Sequence, residues 1–241
     1  MIEFLIALDT QIYLFFNGLH TPLLDEFMML FTGRFIWVPM YVALAILMIK
    51  TFGYRLGTLY IAAAGLAILL TDQACATYMR PFFARMRPSN PDNPLSAFAT
   101  LVDGYRGGRY GFPSCHAANS FALATFVSCL LRRRGLCIFM YLWAVLNSYT
   151  RLYLGVHYPG DLVVGAIIGS SIGVMCYMTV SFVSRKQRIN SRHALNRPLF
   201  VIPTDINFAG IQIKNFGFTI GDSIITIFAL TVINMLLIAM D

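Results

Sequence analysis

The run "TRLYLGVHYPGD", residues 150–161, sets an arginine, a histidine and an aspartate between two long apolar segments. Each of these segments, 136–154 and 161–183, is long and apolar enough to form a membrane-spanning helix. Pro159 and Gly160 interrupt the helical pattern where the segments meet. We therefore predict two spanning helices joined by a tight turn, with charged side chains gathered at one boundary of the membrane. The simpler alternative is that the run is a turn and nothing more.

The composition of the whole chain supports a membrane location. Of its 241 residues, 58% are hydrophobic and only 12% are charged, whereas a soluble domain carries roughly 25% charged residues. We expect one integral membrane domain, residues 1–241, in contact with membrane lipids. The net charge of +7 is explained by membrane topology, so no nucleic-acid partner is expected, and nothing implies a protein partner. The five cysteines show no paired spacing that would indicate a disulfide framework or a zinc site.

The predicted fold class is all-α, a polytopic membrane bundle of about six transmembrane helices. Five apolar segments form a catalytic core, 28–183, and a basic connection, 184–221, leads to a last span. The six predicted spans are 28–49, 56–78, 115–131, 136–154, 161–183 and 222–240.

The first 22 residues have a different pattern. Glu3, Thr10 and Asn17 recur every seven residues with Asp9 beside them, so the polar groups fall on one stripe of an otherwise apolar helix. This predicts an amphipathic helix, 1–22, that lies in the membrane interface. The alternative is a seventh span.

Basic residues fall on both sides of the predicted bundle. One side carries the basic residues expected of a cytoplasmic face: Lys50, Arg55, Arg132, Arg133, Arg134, Arg185, Lys186, Arg188, Arg192 and Arg197. The opposite side should be poor in basic residues, yet it also has six arginines: Arg80, Arg85, Arg87, Arg106, Arg109 and Arg151. Snorkelling at a membrane boundary would explain one or two of them. We therefore expect this outer face to bind an anion.

The arginines of the outer face belong to three motifs: "RPFFARMRP" at 80–88, "PSCH" at 113–116 and the opening run at 150–161. Guanidinium groups match phosphate oxygens, and a helix that starts near Ser114 would direct free backbone N–H groups at an anion. Two histidines, His116 and His157, permit nucleophilic attack and proton delivery by separate groups. Together the motifs predict a phosphate pocket with catalytic histidines.

Several of these residues have simpler explanations. A single histidine at a membrane boundary is usually structural. Asp161 is placed to orient the imidazole of His157, but it could also simply be the N-cap of the span 161–183. Cys115 lacks the arginine six residues later that cysteine-dependent phosphatases need, because that position is Phe121. We therefore do not expect Cys115 to be a nucleophile.

The three motifs resemble the signature of the type-2 phosphatidic acid phosphatase superfamily, which runs Lys-x6-Arg-Pro, Pro-Ser-Gly-His and Ser-Arg-x5-His-x3-Asp. The matching residues follow in the same order and with the same spacing: Arg80, Arg87, Pro88, Pro113, Ser114, Cys115, His116, Thr150, Arg151, His157 and Asp161. Three positions depart from the pattern: Arg80 replaces lysine, Thr150 replaces serine and Cys115 replaces glycine. None of the charged residues or histidines is missing.

The resemblance implies a role for each matching residue. His157 would attack phosphorus and form a phosphohistidine, Asp161 would hold His157, and His116 would protonate the leaving oxygen. Phosphate oxygens would be bound by Arg80, Arg87, Ser114 and Arg151. No metal or cofactor is implied.

The implied substrate is a lipid phosphate or pyrophosphate, hydrolysed at the outer face of a bacterial inner membrane. We favour undecaprenyl pyrophosphate, with lipid A and phosphatidylglycerophosphate as alternatives. Phosphate transfer to another lipid is an alternative reaction, and a lipid-phosphate transporter is a non-enzymatic alternative. The loop 89–112 is expected to form a lid or a substrate-contact surface, with Arg106 and Arg109 as candidate headgroup contacts.

Overall fold

Helices make up most of the structure, a computed structural model that describes residues 1–33, 35–184, 198–208 and 211–240, with only the backbone given for 198–208 and 211–223. The α-helices of this described part are α1 (Ile2–Asn17), α2 (Pro22–Phe31), α3 (Val38–Asp72), α4 (Arg80–Phe83), α5 (Cys115–Leu131), α6 (Arg134–Tyr153), α7 (Pro159–Val183) and α8 (Ile220–Ile238). A π-helical turn, Gln73–Met79, joins α3 to α4. Two antiparallel strands, β1 (Pro198–Phe208) and β2 (Ile211–Thr219), precede α8.

Helix α3 consists of two halves that fold back on each other at Gly53. This glycine has a φ of 80°, which a side chain would disfavour. A Cβ atom placed on Gly57 would lie 2.6 Å from the Cα of Ile49, although residues eight apart in one straight helix are about 12 Å apart. The rings of Phe52 and Tyr60 also meet, 4.7 Å between centroids. The structure therefore breaks the helix between the two predicted spans 28–49 and 56–78.

The first predicted span, 28–49, begins too early. Helix α2 ends at Phe31, and a short 3-10 turn intervenes before α3 starts at Val38. The indole N–H of Trp37 donates to the carbonyl oxygen of Phe31 at 2.8 Å and so caps the end of α2. The break follows Thr32 and Gly33, a turn signal that the span 28–49 overran.

Within the described residues, two helical stretches could cross a membrane by length and apolar character: Phe35–Phe83, which contains the Gly53 reversal, and Pro159–Val183. The pair α1 and α2, bent by 113°, is a third candidate, and Cys115–Leu131 and Ile224–Ile238 are shorter apolar helices. The predicted all-α membrane bundle is confirmed. The number of six crossings and the interfacial position of α1 stay predictions.

The centre of the bundle is a close crossing of α5 and α7. Three glycines of α7 face the backbone of α5 at intervals of four residues: Gly165, Gly169 and Gly173. A Cβ atom on Gly169 would lie 2.0 Å from the carbonyl oxygen of Ala118, so only glycine fits there. The crossing holds the first residues of both helices together, and the N–H of Ser114 donates to the carbonyl oxygen of Asp161 at 3.0 Å.

The predicted basic connection, 184–221, contains the β-hairpin, which the sequence analysis did not predict. The hairpin adds two strands to a bundle that is otherwise helical in its described residues. Five basic residues of the connection, which the sequence analysis placed on the cytoplasmic face, lie outside the described residues: Arg185, Lys186, Arg188, Arg192 and Arg197.

Candidate active site

The three motifs meet at one end of the bundle. The first motif follows the π-helical turn, the second forms the start of α5, and the third joins α6 to α7. At their centre lie His157, with 1% of its surface exposed, and the fully buried Asp161. The guanidinium of Arg87 is also buried, with 5% of the residue exposed. Buried ionisable groups at the end of a membrane bundle are costly and therefore mark a functional site.

His157 and Asp161 form a hydrogen-bonded pair, with 3.0 Å between Nδ1 of the imidazole and Oδ2 of the carboxylate. The same oxygen accepts the backbone N–H of Tyr158 at 3.2 Å. Because Asp161 lies in the first turn of α7, its carboxylate also satisfies a free N–H at the start of that helix. The predicted N-cap position of Asp161 is therefore wrong, because Tyr158 is the N-cap of α7. The contact that the orienting role requires is present.

The other imidazole nitrogen of His157 contacts Arg87. Nη1 of Arg87 lies 2.8 Å from Nε2 of His157, and a guanidinium can only donate hydrogen bonds. Nε2 must therefore be the accepting nitrogen, and Nδ1 carries the proton that is donated to Asp161. Arg87 donates further to the carbonyl oxygens of Val156, at 3.0 Å, and Tyr110, at 3.1 Å.

Electrostatics favours the neutral form of His157. Burial lowers the pKa of His157 well below its ordinary value, and the positive charges of Arg87, Arg151, Arg80 and Arg85 lower it further. Burial and the neighbouring guanidinium groups also lower the pKa of Arg87, to about 10. The imidazole thus keeps an unprotonated nitrogen among several positive charges, an arrangement that suits attack on an anionic phosphate.

Ser114 is the N-cap of α5. Its Oγ accepts the backbone N–H of Ala117 at 3.4 Å, and the residue is fully buried. The hydroxyl can still donate its proton to an anion while it caps the helix. His116 follows in the first turn of α5 and is half-buried.

The other two predicted arginines also lie at this end of the bundle. Arg80 is half-buried and donates from Nε to the carbonyl oxygen of Pro113 at 3.3 Å. Arg151 is buried and donates to hydroxyl groups of Thr32, at 2.7 Å, and Tyr105, at 3.0 Å. All seven predicted site residues are therefore brought into one region.

Arg85 is a residue of this region that the sequence analysis left out of the site. Its Nη1 donates to Oδ1 of Asp161 at 3.0 Å, and its Nη2 donates to Oδ2 of Asp9 at 2.6 Å. Asp9 belongs to α1 and lay in the polar stripe that the sequence revealed. The stripe was a signal that this face of α1 has a polar partner, but not which one.

The loop 89–112 packs against the back of the site. The backbone N–H of Arg87 donates to the carbonyl oxygen of Arg109 at 3.2 Å. A Cβ atom on Gly111 would lie 3.0 Å from Oδ2 of Asp161 and 3.4 Å from Nδ1 of His157, so this loop approaches the pair as closely as only glycine permits. Its use as a lid stays a prediction.

The two arginines of this loop that were candidate headgroup contacts bind the loop itself. Arg106 donates to the carbonyl oxygen of Ser89. Arg109 lies 3.9 Å from Asp92 in an exposed ion pair. Their predicted contact with a headgroup stays a prediction.

Cys115 is buried and packs with Cys75 and Ala118 between helices. Both cysteines are free thiols. The side chain that replaces the signature glycine is therefore accommodated by the helix interface. Its lack of a nucleophilic role stays a prediction.

Comparison with known proteins identifies the family. The model of the PAP2 superfamily matches residues 57–185. A lipid A 4′-phosphatase from Bacteroides thetaiotaomicron is 55% identical over 177 residues, which cover 73% of this chain and 79% of that protein. An undecaprenyl-diphosphatase from Sulfolobus acidocaldarius is 28% identical over 59% of this chain and 63% of its own length. The crystal structure of Aquifex aeolicus LpxE superposes with a TM-score of 0.54 at 26% identity and covers 70% of this chain and 93% of that structure. The resemblance predicted from the three motifs is thus confirmed, and the chain belongs to the PAP2 superfamily as a membrane lipid phosphatase.

Proposed function

We propose that this chain hydrolyses the 4′-phosphate monoester of lipid A through a phosphohistidine on His157. The observation that supports this reaction is the pair of hydrogen bonds made by the imidazole of His157. Nδ1 is bound to Asp161 at 3.0 Å and Nε2 accepts a hydrogen bond from Arg87 at 2.8 Å. The ring is therefore held in the tautomer with an unprotonated Nε2, the nitrogen that would attack phosphorus.

In the first step, Nε2 of His157 forms a bond to phosphorus while the bond from phosphorus to the ester oxygen breaks. The imidazole becomes positively charged, and the carboxylate of Asp161 stabilises that charge through the Nδ1 proton. His116 gives its proton to the leaving oxygen. In the second step, His116 takes a proton from water, whose oxygen attacks phosphorus and releases phosphate and neutral His157.

The non-bridging phosphate oxygens would bind to Arg80, Arg87, Arg151 and Ser114. In the structure, the N–H at Nη1 of Arg87 is hydrogen-bonded to Nε2 of His157, the attacking nitrogen. A phosphate that enters the site would accept this hydrogen bond in place of Nε2. This exchange frees the lone pair of Nε2 only when an anion is present. The fixed positive charges would then stabilise the negative charge of the transition state.

Similarity supports lipid A as the substrate over undecaprenyl pyrophosphate, the substrate that the sequence analysis favoured. The lipid A 4′-phosphatase shares 55% of its residues with this chain over its match, and the undecaprenyl-diphosphatase shares 28%. The reaction at His157 would be the same for either lipid.

We further propose that the site faces the outside of a bacterial inner membrane. The site lies at the first turn of α5, and Arg132 caps the opposite end of that helix, with Arg133 and Arg134 beside it. Placing these three arginines in the cytoplasm puts the site at the outer boundary. The apolar side of α1, which includes the exposed Phe4, Leu5 and Phe15, would then lie against lipid.

The test is phosphate release by purified protein in detergent from a panel of lipid phosphates. We expect the highest kcat/KM with lipid A that carries a 4′-phosphate, and no release by the His157→Ala variant. Preference for undecaprenyl pyrophosphate would overturn the choice of substrate alone. Binding of lipid without turnover would favour a transporter, and appearance of the phosphate on a second lipid would favour a transferase.

A further inference from the structure

A chain of polar contacts leads from α1 to the nucleophile. Arg85 bridges two carboxylates, with 2.6 Å to Oδ2 of Asp9 and 3.0 Å to Oδ1 of Asp161. Asp161 in turn holds the imidazole of His157. The carboxylate of Asp9 also accepts the backbone N–H of Gly160 at 2.7 Å, at the start of α7. One carboxylate of the N-terminal helix is thus joined to the catalytic pair on two sides.

The bond from Arg85 completes the hydrogen bonding of Asp161. Oδ2 of Asp161 is taken by His157 and by the N–H of Tyr158, and Oδ1 by Arg85. Asp161 is fully buried, and a buried carboxylate is stable only when its oxygens are bonded and its charge is balanced. Loss of Arg85 would leave Oδ1 without that bond and free the carboxylate to rotate away from the imidazole.

The guanidinium of Arg85 is itself held in one orientation. It lies over the ring of Tyr158, 3.9 Å from the centroid, while its two terminal nitrogens donate in different directions. A planar fork can make both bonds at once, which a lysine cannot. Asp9 is 14% exposed at its side chain, and Arg85 is 28% exposed. This ion pair is therefore only partly screened by solvent.

Further polar contacts seat α1 on the connection that carries His157. Nδ2 of Asn17 donates to the carbonyl oxygen of Tyr153 at 2.8 Å, and the hydroxyl of Tyr13 donates to that of Gly155 at 3.5 Å. These contacts and the bond from Gly160 to Asp9 span the α6–α7 connection from end to end. One face of α1 is therefore bound to this connection, while the opposite face is exposed and apolar.

We infer that Arg85 and Asp9 are positioning residues, which hold Asp161 and through it the imidazole of His157, so that seating of α1 on the bundle is part of assembling the active site. This inference rests on the proposed role of His157 as the nucleophile. A residue that acts on geometry in this way should change kcat and leave the affinity for phosphate almost unaltered.

The experiment compares Arg85→Gln, Arg85→Lys, Asp9→Ala and the double variant Asp9→Ala/Arg85→Gln with the wild type. We expect Arg85→Gln to lower kcat by about 10- to 100-fold, the rate equivalent of one lost charge-assisted hydrogen bond. KM and inhibition by inorganic phosphate should stay within about twofold, since an unchanged phosphate site binds both species as before. Arg85→Lys should recover part of the loss.

Non-additivity separates positioning from general destabilisation. Because Asp9 acts through Arg85 and also binds the N–H of Gly160, the double variant should be slower than Arg85→Gln, but by less than the product of the two single losses. A control, Glu3→Gln, removes another carboxylate of α1 that is exposed, and it should retain wild-type kcat. Diethyl pyrocarbonate should modify His157 faster in Arg85→Gln than in the wild type, a readout that does not depend on turnover.

Three results would overturn the inference: wild-type kcat in Arg85→Gln, a loss expressed only in KM, or independent, multiplying losses in the double variant. Failure of the proposed function would look different. In that case His157→Ala would release phosphate as fast as the wild type, whatever the Arg85 variants do.

Discussion

Arg85 and Arg87 stand two residues apart in one motif and contact opposite ends of the same catalytic pair. Arg85 meets two carboxylates, Asp9 and Asp161, so its charge is compensated. Arg87 meets the imidazole of His157 and two backbone carbonyl groups. The positive charge of an arginine with neutral partners is not balanced, so it can attract an anionic substrate. The positive charge of an arginine between two carboxylates is already balanced. The hydrogen-bond partners of each arginine, more than its residue type or motif, therefore distinguish an arginine that binds phosphate from one that positions Asp161.

The largest expected effect on phosphate release comes from replacing His157, the residue on which both arginines act. His157→Ala should reduce phosphate release by about 10⁴-fold or more, because the attacking atom is removed. Insertion into the membrane and the thermal midpoint should remain close to those of the wild type. Phosphate release at the wild-type rate would remove the basis for comparing the two arginines.

The comparison itself is tested by Arg87→Gln beside Arg85→Gln. We expect Arg87→Gln to lower kcat/KM by about 100-fold or more, which corresponds to loss of a charged donor in the transition state. It should also weaken inhibition by inorganic phosphate, which Arg85→Gln should leave unchanged. Equal inhibition constants in the two variants would mean that the contacts do not distinguish the two roles.

The pH dependence of activity measures how strongly each arginine acts on the pKa of His157. His157 must be neutral to attack, and burial together with the arginines keeps its pKa well below the ordinary value of 6.5. Activity should therefore persist as the pH falls through 6.5 and be lost only at the lower pKa of His157. Removal of a positive neighbour raises that pKa, so the acidic limb of kcat/KM should move to higher pH in both variants. The shift should be larger for Arg87→Gln, because Arg87 lowers this pKa more than Arg85 does.

Chelation and the cysteine should have the smallest effects. We expect activity to persist in the presence of a chelator, because protein side chains fill every role in the proposed steps. A loss that added metal restores would contradict that assignment.

Cys115→Gly and Cys115→Ser should retain activity within about threefold. The thiol packs with Cys75 and Ala118 away from the proposed steps, and small replacements in a packed site are tolerated. If either variant were as inactive as His157→Ala, the cysteine would have to take part in the reaction.

The sequence predicted the site far better than it predicted what surrounds it. Arg80, Arg87, Ser114, His116, Arg151, His157 and Asp161 converge because motif spacing fixes their positions at the ends of helices. Asp9 could not be assigned a partner, because 151 residues separate it from Gly160 and 76 from Arg85. The break between Phe31 and Val38 was missed although Thr32 and Gly33 signal a turn, because the predicted span joined the apolar residues on either side.

The glycine stripe of α7 has a consequence for how such proteins change through evolution. The register between the nucleophile and the start of α5 depends on Gly165, Gly169 and Gly173, none of which is part of a catalytic motif. A chain could keep every catalytic residue and lose its activity through one added methyl group at Gly169, some distance along the helix. Selection for activity should therefore act on these three glycines as strongly as on the catalytic histidines.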